Sequence, residues 1–473
     1  MNRRNFIRTT AGSAVFCLGA SNLFTLAGQS TGHNLISPGC RKSKVKVARL
    51  YLGVPRPHYP NPALDLAAEQ REYQARFSKF SHELSDVDFF VDELIGKPEE
   101  LAPLTDRLRQ ADGILAVHLT LHTLPVMKEL LKIGRPTMVF SAPYSGHEWF
   151  YLSDLRGSEL GKKLECVLTT DYHELATAIR PFRALHHLRE ARVLNLAAAH
   201  HPADYPGKVK DKFGTEIALL PLDRVLRIYE SIDDQDAKAE AKRWSRNAKA
   251  VVEPSAEEIF KSCKLALAFQ KLMDEEQATV MTVDCYGSMW RKVPAYPCIG
   301  FARLNDLGLG GICQSDLPCV MTHIIFQGLT GRPGFVCNPT FDFATDSATL
   351  IHCLGCTKMD GPDKPAAPYK LRSVMEREEG AVPQVFMRVG QPVTQSILAD
   401  MSTLRYFTGK ITAVPDIDRG CRTQLTVKID GNSEHLWRNW TAGIHRVSCY
   451  GTLTRDLERF CRFADLQLLN EAV

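Results

Sequence analysis

From Val45 onward the apolar positions fall into short β-branched runs that alternate with stretches of helical period, the pattern of βα units around a parallel sheet. Strands are predicted at 45–54, 86–94, 113–119, 137–141 and 165–169, with helices at 61–84, 98–110, 124–133 and 171–188. This gives a first α/β domain over 44–190. A second α/β domain is read over 191–356, with strands at 191–197, 216–220, 278–284, 310–313 and 334–337 and helices at 232–244, 255–276, 300–307 and 318–329. Ser255 is placed to cap the longest of these helices. The predicted strands end at Asp284, Gln314 and Asn338, and ligands of open parallel sheets bind at strand carboxyl ends.

Near Thr357 the texture changes. Gly361-Pro362-Asp363-Lys364-Pro365 and Pro368 make a turn-rich connection. Beyond it, alternating runs at 384–389, 392–398, 406–413, 423–430 and 444–450 predict a C-terminal β-barrel domain over 357–473, closed by a helix at 454–463. The fold class expected is therefore α/β, two doubly wound parallel-sheet domains followed by a β-barrel.

Length and charge narrow the function classes. At roughly 150 residues per domain, 473 residues allow about three domains, each able to bury a core. Lys+Arg 58 against Asp+Glu 54 leaves +4, too weak a field to argue for a nucleic-acid partner. The first thirty residues differ from the rest. Arg3, Arg4 and Arg8 precede an apolar stretch from Ala11 to Ala20 that is too short to span a bilayer. The paired arginines followed by Asn5-Phe6-Ile7 resemble a twin-arginine export signal, which implies the twin-arginine machinery as a partner and a periplasmic or otherwise extracytoplasmic destination. Fourteen cysteines are too dilute for a disulfide scaffold, and Cys166 and Cys263 sit in apolar runs that suit buried thiols.

Histidines and polar strand ends are the candidates for chemistry. The pairs His186-His187 and His200-His201 read more readily as surface or capping groups than as metal ligands. His147, beside Gly146 and Trp149 after a predicted strand, is a candidate pocket residue. The densest polar cluster runs from Cys313 to Asp360. From residue types alone, Cys337, His352, Cys353 and Cys356 suggest zinc, although the spacing matches no standard zinc motif and plain thiols or a disulfide serve equally.

The segments Thr282-Val283-Asp284-Cys285, Leu304-Asn305-Asp306-Leu307-Gly308, Gln314-Ser315-Asp316 and His352-Cys353 resemble the core of the L-fucose and L-arabinose isomerase-like proteins. Tyr369-Lys370-Leu371-Arg372-Ser373, Gly390-Gln391-Pro392-Val393-Thr394 and the run from Gly443 to Gly451 resemble that family's C-terminal domain. The resemblance implies an oligomeric enzyme that interconverts a free aldose and ketose through an enediol. A divalent cation, manganese for preference, polarises the sugar oxygens while a carboxylate moves the proton. It implies His352 and His445 as metal ligands, with Gln314 and Asn338 at positions where the family carries acids. An amide neither accepts the proton nor balances a dication. Asp316 or Asp342, beside Gln314, is therefore expected to take over catalysis, and His147, Asp284, Asn338, Arg372 and His445 to contact the sugar or polyol. Each aspartate also reads as an ordinary cap or turn residue. The alternative is an exported sugar-binding protein that keeps the pocket without the reaction.

Overall fold

The computed structural model of the chain describes residues 34–146, 148–196 and 201–473. The export segment at 1–30 and His147 lie outside the described residues, as does His200. The first sheet has five parallel strands, β1 (Val45–Leu52), β2 (Val87–Ile95), β3 (Gly113–His118), β4 (Thr137–Ser141) and β5 (Leu164–Leu168), in the order β2-β1-β3-β4-β5. Every residue of β3 and β4 is buried, as a sheet covered on both faces by crossover helices requires. A second parallel sheet repeats the order with β6 (Arg192–Leu196), β7 (Glu216–Leu220), β8 (Val280–Val283) and β9 (Gly310–Cys313), arranged β7-β6-β8-β9. In both sheets the order reverses beside the first strand, which opens a crevice at the strand carboxyl ends. The helix Ala256–Glu275 begins at Ser255 as expected, with a reciprocal capping box to Glu258.

The C-terminal strands are β10 (Phe335–Asp342), β11 (Ser347–His352), the hairpin β12 (Tyr369–Val374) and β13 (Glu379–Val385), β14 (Pro392–Leu398), β15 (Thr403–Ala413), β16 (Thr423–Ile429), β17 (Arg446–Tyr450) and β18 (Gln467–Asn470). Six of them close a barrel, β14-β17-β10-β11-β16-β15 and back to β14, antiparallel at every step, and β18 adds to β15 in parallel. The barrel therefore begins earlier than the sequence indicated. The run at 334–337 reads as a fifth parallel strand of the second α/β domain, yet it belongs to β10, an antiparallel barrel strand. The reason is the short turn after Asp342, which returns the chain at once as β11, and two strands joined by so short a loop pair antiparallel. The β12–β13 hairpin stays outside the barrel and bonds instead to the 249–252 segment of the second α/β unit.

The helix Leu317–Thr330 is apolar nearly all round and is buried accordingly, packed among the helix Arg180–Glu190, the second sheet and barrel strands β14 and β17. It ties the barrel to the sheet whose crevice its own N-terminus borders. Among the described residues no helix is long and apolar enough to cross a membrane. The described cysteines are all free thiols, Cys263 fully buried and Cys166 partly so.

Candidate functional site

Strand β9 ends at Cys313, and the chain then turns through Gln314 and Ser315, both with positive φ (65° and 50°), before Asp316 opens the helix Leu317–Thr330. Two consecutive non-glycine residues in the left-handed region cost of order 1–3 kcal/mol each, so the turn persists because its surroundings hold it. Ser315 Oγ donates to Asn195 Oδ1 at the end of β6 (2.8 Å), and Asp316 Oδ1 accepts the Cys319 backbone N–H (2.9 Å) as the helix N-cap. The cap role read for Asp316 from sequence is thus real, and it uses only one carboxylate oxygen.

The other oxygen, Oδ2, lies 2.9 Å from Nδ1 of His445, a buried side chain in the loop before β17. Burial acts to raise the Asp316 carboxyl, but the bond and charge of His445 and the Cys319 amide outweigh it and hold Asp316 below its ordinary value. An ionised carboxylate only accepts, so Nδ1 of His445 carries a proton, which leaves Nε2 as the ring's other polar edge. That Nε2 is buried and has no hydrogen-bond partner. The ring of His352, at the end of β11, stands edge-on to the His445 ring with centroids 5.5 Å apart. Burial, then the neighbouring His445, lowers His352 to about 3, so it is neutral at physiological pH. Asn338, in β10 and paired with Ile351 next to His352, also has a buried side-chain oxygen without a partner.

The fold fixes His445 from below. Arg446 is fully buried, makes two bonds to Glu471 (2.9 and 2.7 Å), stacks over Trp440 at 4.0 Å and donates to the His445 carbonyl at 2.8 Å. The backbone of the histidine is thereby held while its imidazole edge stays uncommitted.

No protein-family model and no curated protein matches the chain in sequence. What the site does must be argued from its atoms.

Of the residues singled out from sequence, Asp316, His352 and His445 come together, Gln314 lies in the turn beside Asp316, and Asn338 sits on the neighbouring strand opposite Ile351. Asp284 ends the neighbouring strand β8, but its carboxylate accepts the Gly287 and Ser288 amides (2.9 and 2.7 Å) and shapes the following loop. Two candidates do not belong to the group. Asp342 is exposed at the β10–β11 turn, where it accepts from the Ala344 amide and the Thr345 hydroxyl; it lies four residue steps beyond Asn338, roughly 13 Å along the strand. Arg372 is saturated by Glu253 and Asp418 on the β12–β13 hairpin. The suggested cysteine set also separates: Cys337 bonds toward the Arg446 carbonyl and Cys356 toward that of Gly334. His186 and His187 are buried rather than on the surface, with His186 held between Asp112 and the Ser43 carbonyl.

Sequence reasoning missed two members. Cys319 places its sulfur within 4.8 Å of donor atoms of Asp316 and His445. Tyr205, opening the helix Tyr205–Phe213, has a buried, unpartnered hydroxyl whose ionisation is suppressed by burial and then by the Asp316 charge. The one available signal was position, since each lies just inside a helix that starts at a sheet's carboxyl edge.

The remaining donors allow a test of the expected cation. Both Asp316 oxygens are engaged and Gln314 is an amide, so among the described residues these two bring no free carboxylate to the pair of histidines. The donors left at the pair are the imidazole nitrogens of His445 and His352. Such a set suits an imidazole-seeking divalent cation of the zinc or nickel kind more than manganese, which favours carboxylate oxygens.

Proposed function

We propose that the protein acts on a free monosaccharide or related polyol as an exported member of the L-fucose and L-arabinose isomerase-like scaffold. The observation that carries the reading is the unpartnered Nε2 of His445, buried beside the His352 ring and braced from behind by Asp316. Two parallel α/β sheets followed by a closed antiparallel barrel are compatible with that scaffold. The Arg3-Arg4 segment supports export by the twin-arginine route, and an oligomeric state comes with the family reading.

In the reaction proposed, aldose–ketose isomerisation, a proton leaves the carbon next to the carbonyl and returns to its neighbour. Asp316 keeps the Nδ1 tautomer of His445 and stabilises the charge that appears when Nε2 takes up that proton. His352, whose ring stands beside that of His445, provides a polar contact for sugar oxygens. A divalent cation held by His445 and His352 would polarise those oxygens and acidify the carbon. If His445 held a cation, the proton would need another carrier, and the unpartnered Tyr205 hydroxyl, which feels the Asp316 charge, is a candidate.

A second reading is favoured by the amides at Gln314 and Asn338 and by the distant Asp342, which leave few groups able to carry a proton: a sugar-binding protein without turnover. One experiment separates the two. The purified chain is incubated in D2O with a panel of free aldoses and ketoses, with and without added zinc, nickel or manganese, and deuterium at C2 is followed by NMR. Incorporation that disappears in His445→Ala supports isomerisation. A sugar-dependent thermal shift with no incorporation supports binding alone, and neither response to any sugar contradicts both readings.

A further inference from the structure

A second cluster of donors, with no histidine in it, begins one residue after His352. Cys353 follows the last residue of β11, Cys421 precedes β16 by two residues, Glu376 sits in the turn of the β12–β13 hairpin, and Tyr286 comes from the loop after β8. The two sulfurs are 4.0 Å apart, Cys421 Sγ is 3.2 Å from Glu376 Oε1, and the three donor atoms all lie within 4.8 Å of one another. Tyr286 binds the other carboxylate oxygen, Oε2, at 2.9 Å and approaches Cys353 Sγ at 3.4 Å.

These separations are those of donors around a shared cation: a tetrahedral zinc with Zn–S near 2.3 Å holds two thiolates about 3.8 Å apart and a thiolate and a carboxylate oxygen about 3.5 Å apart. Tyr286 orients the carboxylate so that Oε1 stays on the sulfur side, the outer-sphere support that metal-binding carboxylates commonly have. Cys353 is buried, Cys421 half-buried and Glu376 exposed, so the group is walled on one side and reachable from solvent on the other. Three protein donors with an open fourth side are the arrangement of a zinc site that takes water or a small ligand.

We propose that Cys353, Cys421 and Glu376 form a binding site for a zinc-class divalent cation, separate from the Asp316–His445 group. Binding exchanges two thiol protons for one cation, the protons passing to solvent, so affinity rises with pH. The test uses the full chain, purified under reducing conditions and titrated with Co2+ alone. The expected result is one tightly bound Co2+ with a thiolate charge-transfer absorption, displaced by Zn2+. That absorption is lost or roughly halved in Cys421→Ser and in Cys353→Ser and unchanged in His445→Ala. Glu376→Gln, at an exposed position that leaves the fold intact, weakens binding by at least about tenfold. No thiolate absorption in the reduced protein would overturn the proposal, as would full absorption in Cys421→Ser. So would a Cys353–Cys421 disulfide recovered from protein saturated with zinc.

Discussion

Among the described residues two buried histidine–carboxylate pairs lie at the carboxyl edges of the parallel sheets, and they differ in one atom. At the end of β3, His118 donates from Nε2 to Glu148 (3.0 Å), and its Nδ1 meets the hydroxyls of Ser141 and Ser145 (3.3 and 3.4 Å). Glu148 in turn accepts from the Thr123 amide and hydroxyl and from Leu124, at the start of the helix Leu124–Leu131. Every polar atom of that histidine is used. His445 at the second sheet is as buried as His118 and equally bound through one nitrogen, yet its other nitrogen faces no partner. A buried polar atom without a partner costs about 1–3 kcal/mol. His187 Nδ1 and His323 Nε2 are unpartnered too; what sets His445 apart is a second histidine ring beside it and a carboxylate behind it, and we read that arrangement as a place for a ligand and the fully paired His118 as scaffold.

The comparison breaks most visibly at the support beneath His445. Removing one member of the buried Arg446–Glu471 pair strands the other charge, so Glu471→Ala loses about 3–5 kcal/mol by denaturant unfolding, more than any change at the histidines themselves. Next comes pH, which acts in opposite directions on two further buried histidines, His186 and His352. At His186, burial alone would lower the imidazole, but Asp112 outweighs it and raises the group from 6.5 to about 10. Its stabilisation is complete below pH 6.5 and is lost as pH rises through about 10. His352, lowered to about 3, stabilises fully above pH 6.5, and that contribution is lost as pH falls through about 3. Denaturation midpoints measured from pH 3 to 11 are thus expected to fall at both ends, and Asp112→Asn removes the alkaline fall while leaving the acid one. A smaller expected effect is Asp316→Asn, which keeps a side chain able to cap the helix and changes stability by about 1 kcal/mol or less while lowering any proton transfer by about 10²–10⁴-fold. Smallest is Asp342→Ala, at the turn, which costs up to about 1 kcal/mol and leaves sugar response unchanged.

How far the sequence could be read varies by element. Strands such as β3 and β4 announce themselves as buried apolar runs, and Ser255 with Glu258 marks a helix start by local chemistry. The run Phe335–Cys337 carries no information about its direction; that depends on a turn and on β11, a short Ser347–His352 alternation that composition does not mark. The strongly amphipathic helix Leu222–Ser231 was similarly overlooked, because its charged positions resemble a loop. At the site, the order of motifs was enough to put His352 and His445 on the same list although the chain between them makes most of a barrel. Cys319 and Tyr205 were illegible because nothing local distinguishes a buried thiol or phenol near a charge from one in plain core. Asp342 and Arg372 misled for the converse reason, since a polar side chain looks the same in sequence whether or not the fold has already satisfied it.

The most direct test deletes the same atom from both pairs. An asparagine amide reaches the place of a histidine Nδ1 and leaves out Nε2, so His118→Asn and His445→Asn are matched changes. The account predicts that His118→Asn loses about 1–3 kcal/mol of unfolding free energy, because Glu148 loses its donor. His445→Asn keeps its bond to Asp316, loses about 1 kcal/mol or less, and abolishes the sugar- or metal-dependent thermal shift. Equal losses in the two variants, or a His445→Asn protein whose ligand response is intact, would contradict the claim that the free nitrogen of His445 is held for a ligand.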